Sequence, residues 1–288
     1  MNAFDYRAPR TVDEALAILR EYGEDARVIA GGTALVTMLR QRLVRPGCLV
    51  SLRDVAGLDR VDATNGALSF GALVTHRQSE TSPLVRERIP VLAETFRRVA
   101  TVRIRHMATL GGALAHADPN QDPPVTLLAL GARVQIRGAG GSRELAIDEF
   151  FRDYYESALA PGEIVTGVTV PVPAAGSGAA FVKFLPRTAD DYATVAVAAI
   201  VTSDGDRCRD ARIALGSVGV TPLRGRAAEA LLSGERMSDG LLKTVGEAVK
   251  GEVDPLTDHR GSADYKRDMA AVMVRRALTQ AWEAARRQ

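Results

Sequence analysis

The chain has 288 residues, 46% hydrophobic and 25% charged, a balance that excludes a disordered chain, a fibre and a coiled coil and allows two or three compact units sharing one cleft. Lysine and arginine total 37 against 35 acidic residues, interspersed along the sequence, so no single-sign field points to nucleic acid or lipid. The two cysteines, Cys48 and Cys208, are too few for an iron–sulfur cluster or a zinc site built from this chain alone.

The opening segment Met1–Arg10 mixes Asp5, Arg7 and Arg10 with apolar residues and lacks the apolar run of a signal peptide. No segment reaches the apolar length of a bilayer span, so a cytoplasmic protein is expected. Thr11 and Glu14 have capping-box spacing, and Ala15, Leu16, Ile18, Leu19 and Tyr22 give the following helix an apolar face that Gly23 ends. Arg27–Ala30 reads as a buried strand running into Gly31-Gly32. A short helix carrying Leu35, Val36, Met38, Leu39 and Leu43 ends near Pro46, and Cys48–Leu52 is a second strand.

Ala67–Phe70 is strand-like, Pro83–Ala100 is helical with a break at Pro90, and Leu127–Leu130 is a buried helix or strand. Ala132–Ile136 and Arg143–Ile147 flank Gly138–Gly141 as a hairpin would, and Glu163–Val170 is a further strand. The run Pro171–Gly178 carries the strongest linker signal. Beyond it, Ala179–Leu185, Thr194–Thr202 and Arg212–Val218 form an antiparallel sheet, with Asp204-Gly205 turning between the last two. Arg226–Gln288 is helical, ending in a long helix with Met269, Val272, Val274, Leu278 and Trp282 on one side. The expected division is 1–60, 61–175 and 176–288.

Two glycine-bearing loops carry the chemistry. In Val28-Ile29-Ala30-Gly31-Gly32-Thr33-Ala34-Leu35 a strand ends at two glycines just before a helix. Residues without Cβ atoms let backbone N–H groups turn toward an anion and let its oxygens approach, although a Gly pair alone also fits an ordinary turn. Thr109-Leu110-Gly111-Gly112-Ala113 repeats the Thr, Gly, Gly chemistry and leads into the acidic, turn-rich segment Ala117–Pro124. Two such loops can grip the two phosphates of a dinucleotide from opposite sides, with Asp122 accepting from sugar or ribityl hydroxyls. Neither spells Gly-x-Gly-x-x-Gly or a P-loop, so a different fold must hold the clamp.

The basic run Arg97, Arg98, Arg103, Arg105, His106 reads either as a solvated helix end or as positive charge beside a bound phosphate, and its nearness to the second loop favours the phosphate. His76, His106, His116 and His259 form no His-x-x-x-His or Glu-x-x-His pair, so no metal ligands are assigned; His116 alone lies near a glycine loop. Asp190-Asp191 reads as a turn, and Tyr154-Tyr155 beside Phe150-Phe151 as core. Gly-x-Ser-x-Gly is missing, and no catalytic residue is assigned.

Together, Ala30-Gly31-Gly32-Thr33, Thr109-Leu110-Gly111-Gly112 with Ala117-Asp118-Pro119 and Asp122, and Lys183 through Arg187 to Asp191-Tyr192-Ala193 resemble the FAD-binding medium subunit of the carbon monoxide dehydrogenase and xanthine dehydrogenase (molybdenum hydroxylase) family. The resemblance covers nearly the whole chain. It implies an α+β fold: two α/β subdomains of the FAD-binding PCMH type plus a C-terminal antiparallel sheet with helices. It implies FAD held noncovalently, with its pyrophosphate between Val28–Leu35 and Thr109–Ala113, Asp122 on the sugar or ribityl chain and Val99 near the adenine. Val165 and Lys183 would lie near the isoalloxazine, with Tyr192 beside the ring. It further implies an iron–sulfur small subunit and a molybdenum-cofactor large subunit as partners, in a dimer of heterotrimers that passes electrons through FAD to an external acceptor.

Two positions depart from the family pattern. Ala113 replaces a polar residue and Ala34 a frequent Asp, and a lost charge-assisted contact costs roughly 1.5–3 kcal/mol. A stand-alone FAD oxidase or reductase of the vanillyl-alcohol oxidase type and a cofactor-free assembly module are the alternatives.

Overall fold

Thr11 starts the first helix where its spacing predicts: its hydroxyl accepts the Glu14 N–H at 3.1 Å. The Glu14 carboxylate takes the N–H of Arg10 at 2.7 Å, one residue before the cap. The computed structural model describes residues 3–185 and 187–287. Met1, Asn2, Pro186 and Gln288, which belong to the N-terminal segment, the third motif and the final helix read above, lie outside the described residues.

The first sheet is parallel, with β1 (Asp5–Arg7), β2 (Ala26–Ile29) and β3 (Cys48–Ser51) in the order β1-β3-β2. Helix α1 (Val12–Tyr22) lays Ala15, Leu16 and Leu19 on Cys48 and Val50 of the central strand. Helix α2 (Leu35–Arg40) follows β2 across the first glycine pair. That pair therefore sits beyond the carboxyl end of a parallel strand, the usual place for a ligand crevice in such sheets.

The second sheet opens with a hairpin, β4 (Val61–Thr64) and β5 (Ala67–Gly71), and then admits six helices: α3 (His76–Thr81), α4 (Pro83–Arg88), α5 (Pro90–Arg97), α6 (Val102–Met107), α7 (Leu110–His116) and α8 (Asp122–Leu130). The predicted break at Pro90 separates α4 from α5. Strands β6 (Arg133–Gly138) and β7 (Gly141–Ala146) form the expected hairpin, and the short β8 (Phe151–Asp153) and β9 (Glu156–Ser157) pair apart. Strand β10 (Ile164–Pro171) then inserts between β5 and β6, giving the order β4-β5-β10-β6-β7.

The third sheet is antiparallel: β11 (Ser177–Phe184), β12 (Val195–Asp204), β13 (Arg207–Gly216) and β14 (Leu223–Arg224). Helices α9 (Arg226–Ala230), α10 (Asp239–Val249) and α11 (Ala263–Ala285) follow it. Strand β12 is buried on both faces. Val195, Val197, Ala199 and Val201 join the core under α10 and α11, whereas Ala196 and Ala198 face the core that contains α8. Every residue of α8 is buried, because it is wedged between α5 and the strands β12 and β13. Leu127–Leu130, open to either reading in sequence, is therefore helical.

Two expectations need correction. The second glycine pair is not a loop: Thr109 caps α7, and Gly111-Gly112 form its first turn. The linker reading of Pro171–Gly178 runs too far, because β11 already begins at Ser177, whose hydroxyl is 2.8 Å from that of Thr202. At Gly178 a Cβ would lie 2.0 Å from the Ala281 carbonyl oxygen, so this glycine lets α11 seat directly on the sheet. The α+β architecture matches the expectation from sequence. Among the described residues no helix is long and apolar enough to cross a membrane.

Candidate functional site

The three sheets converge on one cleft of about 770 Å³, within the range of small-molecule and cofactor sites. Both glycine segments line it. All eight residues Val28–Leu35 contribute, as do Thr109, Gly111, Gly112 and Ala113, together with Val99, Asp122, Val165, Lys183 and Tyr192. Leu110, named with the second segment, does not. Its side chain is fully buried in the main core, because the helical turn that presents Gly111 and Gly112 points residue 110 inward.

The glycines do different work from one another. A Cβ on Gly31 would fall 1.8 Å from the Met107 carbonyl oxygen and 3.1 Å from Ala108 Cα, so this residue is small because the two segments touch there. Gly111 is likewise pressed on Ala72, at 2.5 Å from its Cβ. Gly32 has φ +71°, a left-handed conformation that side chains strain. A Cβ on Gly112 would face Ala30 Cβ at 3.9 Å across the cleft but lie 2.8 Å from Thr109 Oγ1, so a side chain here must also displace the capping hydroxyl.

Helical bonding after the first pair starts with Val36 N–H to Gly32 O at 2.9 Å. The N–H groups of Thr33, Ala34 and Leu35 thus have no intrahelical acceptor, on residues that line the cleft. The second segment differs from the expected pair of free amides. Leu110 N–H bonds Val74 O, and Gly111 N–H bonds Ala72 O, each at 2.9 Å, while Gly112 N–H reaches Thr109 Oγ1 at 3.2 Å. What it offers a ligand is the Thr109 hydroxyl proton and the positive end of the α7 dipole.

Asp122, the first residue of α8, is 4% exposed; its Oδ2 accepts from Lys183 Nζ at 2.8 Å, and Oδ1 has no partner. Burial pushes its pKa up to about 6, with the Lys183 ammonium pulling the other way. Lys183 also donates to Arg98 O at 3.1 Å. Beside Asp122, Gln121 leaves Oε1 buried and unpartnered. His76 lines the same cleft, and burial lowers its pKa to about 4.

The basic run does not serve a phosphate directly. Arg97 and Arg98 both pair with Glu94, and Arg105 pairs with the buried Glu80 at 2.9 Å. Arg105 also donates to the carbonyls of Val99 and Ala100 at 2.8 Å, bracing a cleft wall in which Ala100 has φ +38°. No residue of the run lines the cleft.

Aromatic groups stand at the opening. His116 and Tyr155 have ring centroids 5.2 Å apart. Tyr192 lies under the Arg260 guanidinium at 5.7 Å, and Arg260 in turn pairs with Asp191 at 3.3 Å. Burial first, and then the charge of Asp118, raises the Tyr192 pKa, so its phenol stays protonated. Tyr154 and Tyr155, read as core from sequence, are 40% and 58% exposed, and Tyr155 lines the cleft. The turn β8–β9 carries them outward, while Phe150 is fully buried in the core and Phe151 packs half-buried against it. His76, Gln121, His116 and Tyr155 were missed as lining residues; only His116 had a signal, its nearness to Gly111-Gly112.

Two family models match. One, described as the FAD binding domain in molybdopterin dehydrogenase, spans residues 2–173. The other, the CO dehydrogenase flavoprotein C-terminal domain, spans 180–281. The carbon monoxide dehydrogenase medium chain of Afipia carboxidovorans is 36% identical over 97% of this chain and 96% of its own. The 6-hydroxypseudooxynicotine dehydrogenase complex subunit alpha of Paenarthrobacter nicotinovorans is 36% identical over 99% of this chain and 96% of its own. A solved structure of carbon monoxide dehydrogenase from Hydrogenophaga pseudoflava superposes with a TM-score of 0.96 at 35% identity, covering 98% of each chain.

Proposed function

This chain belongs to the family of FAD-binding medium subunits of molybdenum hydroxylases, and from that premise we propose how its residues hold the cofactor and what it assembles with. The chain is an FAD-binding electron-transfer subunit of a multi-subunit oxidoreductase. The observation that carries the residue-level reading is the meeting of the two glycine segments on one cleft, with Gly31 packed against Met107 and Ala108.

The residues present fit FAD. Asp122 Oδ1 and Gln121 Oε1 are buried acceptors without partners on the cleft wall, suited to the hydroxyls of a ribityl or ribose chain. Thr33, Ala34, Leu35 and Thr109 supply donors for a diphosphate, and the pocket volume suits a cofactor of this class. When bound, FAD supplies the redox chemistry; the protein supplies position, charge and shielding. Lys183 holds a positive charge against Asp122, Val28–Leu35 and Thr109–Ala113 clasp the diphosphate, Val99 and Val165 give apolar walls, and Tyr192 covers one side of the ring. The backbone donors of the first segment stand in for the polar side chains absent at Ala34 and Ala113.

We assign the partners as an iron–sulfur subunit and a molybdenum-cofactor subunit, in a doubled heterotrimer. Both cysteines are buried and unpaired here, in separate cores, which supports clusters carried by another chain in a reducing, cytoplasmic compartment. The spans 1–60, 61–175 and 176–288 are proposed as the units of the chain, since each holds its own sheet. Relatives that are named subunits of dehydrogenases favour this reading over a stand-alone oxidase. Equal identity to a carbon monoxide dehydrogenase medium chain and to a 6-hydroxypseudooxynicotine dehydrogenase subunit supports a choice of substrate made on another chain. Purification from the native source tests the assembly: co-eluting polypeptides with iron, molybdenum and flavin are expected, and this chain alone, free of both metals, would contradict it.

A further inference from the structure

His76 is not used by anything described so far. It opens α3, lines the cleft, and is 4% exposed; neither Nδ1 nor Nε2 has a partner in full hydrogen-bonding geometry, although the Thr109 backbone carbonyl lies near enough to pull its pKa upward against the effect of burial. An imidazole placed there at random would be costly, because a buried polar group without a partner forfeits its hydration. The neighbouring Phe96 ring, 5.1 Å away, provides packing and no acceptor.

Its location is defined by backbone bonds. Thr75 bridges Thr109, and the His76 N–H donates to Ala108 O at 2.9 Å. Ala108 is also where Gly31 packs, within 3.1 Å of its Cα for an added Cβ. The backbone of His76 therefore lies beside the point where the two glycine segments meet, and its ring, packed on Phe96, lines the cleft there. Burial keeps the ring neutral, since its pKa lies near 4, and a neutral imidazole carries one N–H donor and one acceptor nitrogen.

We infer that His76 is a cofactor-binding residue whose imidazole N–H donates to a diphosphate oxygen of FAD at the junction of the two glycine segments. This rests on the flavin reading above and adds to it a side-chain donor on a third element. The Thr109 hydroxyl and the His76 ring approach the diphosphate from adjoining positions. The first segment faces them across the cleft.

The full chain, freed of flavin and labelled with 15N-histidine, is titrated with FAD as wild type, His76→Gln and His76→Leu. In the wild type, FAD is expected to shift the His76 imidazole 15N signals. His76→Leu should raise the Kd by about 10- to 100-fold, the range for losing one hydrogen bond to a charged group, and should move a 31P signal of the bound diphosphate. His76→Gln should recover part of the affinity. Unchanged 15N signals at saturation overturn the inference, as does a folded His76→Leu with wild-type affinity, or a weakened one with both 31P signals unmoved. If His76→Leu does not fold, the wild-type 15N shifts decide. A wild-type chain that takes up no FAD removes the flavin reading itself, and this inference with it.

Discussion

Replacing Lys183 by Met isolates the electrostatic centre of the cleft. Asp122 and Lys183 are 4% and 8% exposed, joined at 2.8 Å, with Arg98 O as the only other acceptor on the ammonium among the described residues. In Lys183→Met the carboxyl either stays charged without its partner or keeps a proton that the unfolded chain would release. Breaking a buried pair from one side costs about 3–5 kcal/mol, and that loss is expected at pH 8. The pH dependence has a definite sign. Asp122 has a folded pKa of about 6, above the ordinary carboxylate value, so its contribution to stability is fully present below the unfolded pKa and falls as pH rises through 6. At pH 5 the carboxyl is mostly protonated in the wild type, and Lys183→Met should cost less there. Losing the attraction raises the Asp122 pKa further and makes the variant's stability fall more steeply toward alkaline pH. Urea unfolding of the flavin-free chain at pH 5 and pH 8 measures this, with Asp122→Leu/Lys183→Met expected to recover most of the loss. Equal costs at the two pH values, or a double variant as unstable as the sum of the singles, would refute the reasoning.

The two adjacent glycines should separate fold from function. Gly111→Ala presses a methyl into Ala72 at 2.5 Å and should lower stability by about 1–3 kcal/mol, the usual cost of overpacking, visible as a reduced thermal midpoint; an unchanged midpoint would show that the contact relaxes freely. Gly112→Asp faces the cleft and places a carboxylate where a phosphate is assigned, so FAD uptake should fall by at least about tenfold with a native circular dichroism spectrum. Full occupancy in that variant would exclude the clamp. Neither cysteine lines the cleft, and acid precipitation should release all the flavin into the supernatant; colour remaining in the pellet would reveal a covalent link.

Where neighbouring residues decide structure, the sequence could be read directly. Thr11 and Gly23 bracket α1, Gly205 turns β12 into β13, and the strand–glycine–helix pattern at Val28–Leu35 follows from periodicity and turn chemistry alone. The second glycine pair misled because glycine is a poor helix former; the Thr109 cap and the run Ala113-Leu114-Ala115 behind it were the signal for α7. Tertiary partners hid the rest. Arg105 seemed free until Glu80, 25 residues earlier, came alongside it. Gly31 and Gly111 are small for backbone packing against Met107 and Ala72, which no local pattern records. His76 has no ligand spacing, and its place on the cleft follows only from the Thr75–Thr109 bridge. Strand β1, three exposed residues paired in parallel with β3, was too short to carry a periodicity.

The assignment of the cleft to a dinucleotide stands or falls on the adenylate half of FAD, and affinity for FAD compared with FMN, which lacks the second phosphate and the adenosine, tests that half directly. Equilibrium dialysis of the flavin-free chain should give one FAD per chain and FMN at least about tenfold weaker, the loss expected when even one charge-assisted hydrogen bond disappears. Equal affinity for the two flavins would contradict the clamp at Gly31-Gly32 and Gly111-Gly112.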